Sequence, residues 1–189
     1  MGSDKAFLQL GGETLLSRAL KLAGAVAPEV RIVGDANKFA GHGRVIEDLY
    51  RDCGPLGGIH AALSRAPTDL SLMLAVDLPF VVPQFLEYLI VQARQSRATV
   101  TVPRAGGGLQ PLCAVYRREF ADVAEESLRE GKNKIDALFA KVDTRVVDEH
   151  ELAHQGFSAE MFRNLNTPEE LYEATRLSLE GPGSVADRS

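Results

Sequence analysis

The chain has 189 residues, 45% hydrophobic and 25% charged, enough for a single globular domain with a core of its own. A formal net charge of -5 speaks against a nucleic-acid binder, which presents a basic face, but allows an anionic small molecule met by a local basic pocket. The two cysteines, Cys53 and Cys113, form no C-x-x-C pair, and the longest apolar stretch, residues 70–76, is far too short to span a bilayer, so neither a disulfide scaffold nor a membrane span is expected.

Residues 1–13 carry Asp4 and Lys5 without the apolar segment of a signal peptide, and a reducing, cytoplasmic setting is expected. Short β-branched runs then alternate with helix-period segments, the pattern of an α/β domain. Leu15, Leu16, Ala19, Leu20, Leu22, Ala23 and Val26 predict a helix over residues 14–26, with Pro28 beyond its end. A strand is expected over 30–33 and the centre of another at Val45-Ile46. Gly54-Pro55-Leu56-Gly57-Gly58 reads as a tight loop, followed by a helix over 59–65 that Pro67 ends. The run 70–76 is the strongest strand signal, and its nearly unbroken apolar character suits a strand covered by helices on both faces. Pro79 and Pro83 bracket a turn into a helix over 83–95, where Pro83 fits the first turn.

Strands are expected over 99–102 and 111–116, joined by the loop Gly106-Gly107-Gly108. Helices over 119–130 and 134–141 and a strand over 144–147 follow. Thr167 as N-cap, Pro168 at the first helical position and Glu170 three residues after the cap form a capping box for a last helix. Residues 181–189 read as a disordered tail, which leaves residues 1–180 as one domain.

Ligands of open α/β sheets bind at the carboxyl ends of the strands, and Asp77 stands at that end of the 70–76 run. A carboxylate there is either a magnesium ligand, shared with substrate phosphates, or the cap of a turn before Pro79. Lys5, with Gly2 near an early turn, offers a compact positive charge for phosphate, although terminal lysines are ordinarily solvated. His150-Glu151-Leu152-Ala153-His154 matches the H-E-x-x-H zinc motif, but Gly156 follows too closely for a long supporting helix, and a solvated turn is expected. His42 reads as a loop residue and His60 as a surface or satisfied histidine near a possible ligand. Lys132 and Lys134 read as a solvated helix start or as contacts to a substrate phosphate.

Five stretches, taken in order, carry a family resemblance over about residues 1 to 175. Met1-Gly2-Ser3-Asp4-Lys5-Ala6 resembles the second half of the signature L-A-G-G-x-S-x-R-M-G-x-D-K of the molybdenum cofactor guanylyltransferases, the MobA-like nucleotidyltransferases. Val45-Ile46-Glu47-Asp48 followed by Gly54-Pro55-Leu56-Gly57-Gly58-Ile59 is similar to the family's V-I-x-D and G-P-L-x-G. Asp77-Leu78-Pro79-Phe80 resembles its metal segment, and Gln110-Pro111-Leu112-Cys113-Ala114-Val115-Tyr116 its (H/Q)-P-L strand. Asn164-Leu165-Asn166-Thr167-Pro168-Glu169-Glu170-Leu171 resembles its N-x-N-T-P-E segment.

The resemblance implies a Rossmann-like three-layer α/β/α domain with a mostly parallel sheet, similar to the nucleotide-diphospho-sugar transferases. It implies transfer of GMP from GTP to molybdopterin or its molybdenum form, with magnesium as cofactor. Lys5 would bind triphosphate, Asp77 magnesium, Asp48 the nucleoside, and Gly34 the base, with Asn37 as the alternative base position. Asn164 and Asn166 would face the pterin. Partners would be GTP, molybdopterin and cofactor-biosynthesis or acceptor molybdoenzyme proteins, with neither nucleic acid nor membrane among them. A CTP-dependent cytidylyltransferase and a non-catalytic nucleotide-binding relative are the alternatives. The chain begins at the Met-Gly of the signature, so the resemblance further implies that the family's first strand and its L-A-G-G-x-S-x-R segment are missing, a misplaced start being favoured over a degenerate protein.

Overall fold

The computed structural model describes residues 5–165. The capping box at Thr167, Asn166 and the tail over 181–189 lie outside them. The elements run β1 (Gln9–Leu10), β2 (Glu13–Thr14), α1 (Leu15–Val26), β3 (Ile32–Val33), α2 (Ala36–Phe39), β4 (Val45–Ile46), α3 (Gly54–Ser64) and β5 (Leu70–Leu74). They continue with α4 (Pro83–Ser96), β6 (Val100–Ala105), β7 (Gly108–Leu109), β8 (Cys113–Arg117), α5 (Phe120–Arg129), α6 (Asp136–Phe139), β9 (Thr144–Val147) and α7 (Glu149–His154).

Local chemistry sets most of the boundaries. Thr14 caps α1 by accepting from the Ser17 backbone N–H at 3.1 Å, and Ala27 ends it in extended backbone. Pro83 opens α4, where its missing N–H costs nothing, and Arg97 closes it in the left-handed region at φ 56°. Gly106 and Gly107, at φ 60° and 77°, turn β6 directly into β7, so the three-glycine stretch is a hairpin rather than an open loop.

The main sheet has the order β5-β8-β6-β7, with β9 on the free side of β6. β8 is antiparallel to both β5 and β6, while β9 is parallel to β6. Hence β5, β6 and β9 run one way, and β8, with the short β7 before it, runs the other. β3 and β4 form a separate parallel pair. Strand periodicity then sends alternate side chains into two apolar layers. Ala114 and Tyr116 of β8 meet Leu56, Ile59 and Leu63 of α3 and Phe120 and Ala124 of α5. Cys113 and Val115 meet Phe85, Leu86 and Leu89 of α4, with Leu22 of α1 and Leu152 of α7 on the same side. This is the three-layer α/β/α arrangement the sequence implies.

The apolar run of β5 is covered on both faces, Met73 by the α3–α5 layer and Leu70, Leu72 and Leu74 by the α1–α4 layer. All five residues of β5 nevertheless stay only partly buried. The cause is its second edge: among the described residues β5 pairs with β8 alone, and β3 with β4 alone. Val33 of β3 is correspondingly exposed.

The Gly-Pro-Leu-Gly-Gly stretch corrects the sequence reading. It is the first turn and more of α3, not a loop before it. Pro55 sits at the helix start, where proline is tolerated, and the glycines strip one face of the helix bare. A Cβ on Gly57 would lie 2.8 Å from the Tyr50 carbonyl oxygen, and one on Gly58 would lie 3.2 Å from Val33 Cγ1. The expected helix over 134–141 shrinks to the single turn of α6.

Gly57→Ala is expected to lose about 1–3 kcal/mol in urea unfolding, because the backbone carbonyl it meets cannot swing away. Gly24→Ala, in α1 with nothing within 4 Å of the new methyl, is expected to gain about 0.5–1 kcal/mol. Equal responses at the two positions would rule out close approach as the reason for Gly57.

Candidate functional site

Lys5 stands on a short 3-10 turn, Lys5–Phe7, that closes with a hydrogen bond from Leu8 N–H to the Lys5 carbonyl at 3.1 Å. Ala6 anchors this turn in a small apolar cluster with Leu16, Ile32 and Val76. The anchor sets Lys5 beside the carboxyl end of β5. Its Nζ lies 3.8 Å from Asp77 Oδ2, with the side chains 47% and 24% exposed. An ion pair that long and that exposed stabilises little, so a phosphate or a cation can part it at small cost.

The backbone of Asp77 is fixed from the far end of the chain. Leu165 N–H donates to the Asp77 carbonyl at 3.2 Å, and Leu78 next to it is buried. That bond also brings exposed Asn164 to the Asp77 segment. Among the described residues no group of three or more histidine, cysteine, aspartate or glutamate side chains could cage a metal ion. Asp77 alone fits magnesium, which is commonly held by one or two carboxylates together with substrate phosphates and water.

Asp48 follows β4, and its Oδ1 is shielded from solvent without a hydrogen-bond partner among the described residues. It faces the bare glycine side of α3, where a Cβ on Gly58 would lie 3.6 Å from that oxygen. Burial pushes its carboxyl above the ordinary aspartate range. Gly34 ends β3, donating to the Ile46 carbonyl at 3.0 Å, and a Cβ there would meet the Phe39 ring at 2.8 Å. Thus Gly34 and Asp48 flank one strand end, Lys5 and Asp77 another, and Ala6, Ile32 and Val76 pack between them. Asn37 spends its backbone N–H on the Asp35 carboxylate, capping α2.

The H-E-x-x-H motif lies on the six-residue helix α7, capped by Asp148. Its Glu151 accepts from Arg145 and from the Tyr88 hydroxyl, both at 2.5 Å, so the carboxylate ties α7 to β9 and α4. His150 and His154 are exposed. His60, read from the sequence as a surface or satisfied histidine, is buried, edge-on to Tyr50 and 3.2 Å from the Ser64 hydroxyl, and desolvation lowers its pKa. Lys132 pairs with Glu130 at 2.7 Å. Sequence reasoning missed Arg163, whose guanidinium lies 5.0 Å over the Phe80 ring. Its one signal is position, directly before Asn164.

The comparisons with known proteins make the chain a nucleotidyltransferase. The chain belongs to the family of the MobA-like NTP transferase domain, whose model matches residues 1–148. It is 38% identical over 176 residues to a probable molybdenum cofactor guanylyltransferase of Pelotomaculum thermopropionicum, covering 92% of this chain and 85% of that one. It is 33% identical over 175 residues to a molybdenum cofactor guanylyltransferase of Desulfosudis oleivorans, covering 92% and 86%. The crystal structure of molybdopterin-guanine dinucleotide biosynthesis protein A from Archaeoglobus fulgidus superposes with a TM-score of 0.82 at 26% identity, over 95% of this chain and 92% of that chain.

The raised pKa of Asp48 has a direct consequence. An acid whose folded-state pKa is raised favours folding while protonated, an advantage complete below the unfolded value of about 4 and lost as pH rises through the folded one. Asp48→Asn is therefore expected to leave the melting temperature unchanged below about pH 4, to raise it at neutral pH, and to weaken GTP binding in calorimetry. A shift of the same size at both pH values would mean that ionisation is not its source.

Proposed function

We propose that this chain transfers GMP from GTP to the terminal phosphate of molybdopterin, or of its molybdenum form, releasing pyrophosphate and yielding the guanine dinucleotide of the cofactor. The observation that carries the proposal is the loose Lys5–Asp77 pair at the carboxyl end of β5, in a chain whose relatives at 38% and 33% identity bear that activity in their names.

The chemistry follows from charge. An oxygen of the acceptor phosphate bonds to the α-phosphorus of GTP, the bond from that phosphorus to the bridging oxygen breaks, and the electron pair leaves with pyrophosphate. The nucleophile is already an anion, so no side chain has to remove a proton. The barrier is repulsion between anions and charge gathering on the leaving group. Lys5 meets both with a positive charge held in place by the buried Ala6 turn. Asp77 would hold magnesium, which when bound neutralises and orients the phosphates. Asp48 takes a donor from the nucleoside into the open hydrogen-bonding position of its Oδ1, and Gly34, just past the end of β3, is assigned to the base. Asn164 and Asn166 are assigned to the pterin, Asn164 through its link to the Asp77 segment. Aligning the two substrates supplies much of the remaining acceleration.

One further part belongs to the proposal. The reaction is placed in the cytoplasm, supported by Cys53 and Cys113 both being free thiols. No helix among the described residues is long and apolar enough to cross a membrane.

Pyrophosphate release with molybdopterin as acceptor should proceed with GTP and far more slowly with CTP or ATP. Asp77→Asn should keep the fold and lose about 100-fold or more in kcat. Wild-type turnover by this variant at saturating magnesium would exclude Asp77 as the metal ligand, and preference for CTP would move the chain to cytidylyl transfer.

A further inference from the structure

A cavity of about 240 Å³ opens between α1 and the chain that follows β5. One wall is Val76, Leu78 and Pro79, the residues on either side of Asp77, with buried Val81 beyond them. The facing wall is α1, whose helical spacing brings Leu15, Arg18 and Leu22 to one side. Among the described residues neither Lys5 nor Asp77 lines the space, and no step of the proposed GMP transfer uses it.

Its charges are unbalanced. Glu13, which also lines the cavity, is already engaged: Lys21 pairs with it at 2.6 Å, and the Ser17 hydroxyl donates to it at 2.6 Å. Arg18 is left over. Among the described residues it forms no ion pair, and its Nε is shielded from solvent without a hydrogen-bond partner. A guanidinium that has lost part of its water and gained no acceptor is destabilised, and an arriving anion relieves it. Arg18 and Lys21 against Glu13 leave one positive charge in excess, which a monoanion cancels. A dianion would overshoot that charge and press on Glu13. The apolar side chains of both walls suit a short hydrocarbon body. Sites for drug-sized molecules begin at about 300 Å³, so the occupant of this smaller space is small.

We infer that this cavity binds a small organic monocarboxylate, whose carboxylate meets the Arg18 guanidinium beside Lys21 and whose body packs on Leu15, Leu22, Val76 and Leu78. The planar fork of arginine matches a carboxylate through two parallel hydrogen bonds. Lys21, with its side chain 74% exposed, adds a second charge at the mouth. The site is separate from the positions assigned to GTP and to the acceptor, and it stands whether or not the proposed transfer does.

The probe is benzoate, titrated into the full chain by calorimetry. The wild type should bind it with a Kd of about 1 mM, while benzyl alcohol and inorganic phosphate should each bind about 10-fold more weakly or not at all. Arg18→Gln should weaken benzoate binding about 10-fold, the size of a lost hydrogen bond to a charged group. Glu13→Gln should tighten it about two- to five-fold by removing the opposing charge, a change of sign that a disturbed fold would not produce. Magnesium–GTP should leave benzoate bound, and Arg18→Gln should keep GMP transfer within about two-fold of the wild type. No benzoate binding at 10 mM, on the order of ten times the expected Kd, would overturn the inference. So would tighter binding of phosphate than of benzoate, or weaker benzoate binding by Glu13→Gln. Displacement of benzoate by GTP, or loss of turnover in Arg18→Gln, would overturn it by making the cavity part of the reacting site.

Discussion

Everything in this structure hangs on one reversed strand. β8 runs against both of its neighbours, and four successive residues, Cys113 to Tyr116, are each no more than 2% exposed. Alternate side chains go to opposite layers, so a single strand joins the two halves of the core. Tyr116 makes the commitment most costly to break, because its ring packs among Phe120 and Phe139 and its hydroxyl donates to the Pro111 carbonyl at 2.7 Å. Removing the hydroxyl's partner would strand a polar group in an apolar interior. The full ladder from Leu70↔Arg117 to Leu74↔Cys113 then fixes where β5 ends, and with it the position of Asp77.

Helices and their ends were legible from sequence where side-chain chemistry acts locally. Thr14 as a cap, Pro83 at a helix start and the apolar stripe of α1 are each decided within a few residues. The Gly54–Gly58 stretch was misread because its glycines answer a tertiary demand. They let α3 press against the Tyr50 carbonyl and Val33, and no local signal separates that use of glycine from a turn. The reversal of β8 was likewise invisible, since a strand with both faces covered reads the same in either direction.

Half of the site could be read from its residue types and half could not. Asp77 follows an apolar run before a proline, which marks a strand end, and the structure puts it there next to Lys5. Asp48 gains its character from the burial of an Oδ1 that has no partner among the described residues, a property of the fold around it and not of its neighbours in sequence. Arg163 depends on Phe80, a residue distant in sequence, so only the folded chain reveals the stacked pair. The zinc-like spacing at His150 and His154 fails for the converse reason. The central glutamate is already engaged by Arg145 and Tyr88, and the helix is too short to bring in further ligands.

The open edge of β5 matters for how the protein behaves in a tube. Among the described residues no strand pairs with the second edge of β5; an apolar edge of this kind is a template for pairing with another chain, and β5 carries none of the charges or prolines that blunt such edges within Leu70–Leu74. Two copies meeting there would extend one sheet across both molecules and bury the partly exposed leucines. Because the strand leads straight to Asp77, that association would also close off the mouth of the site. Self-association at high concentration and loss of turnover should therefore appear together, and any segment that occupies the edge would act as a solubility element as much as a structural one.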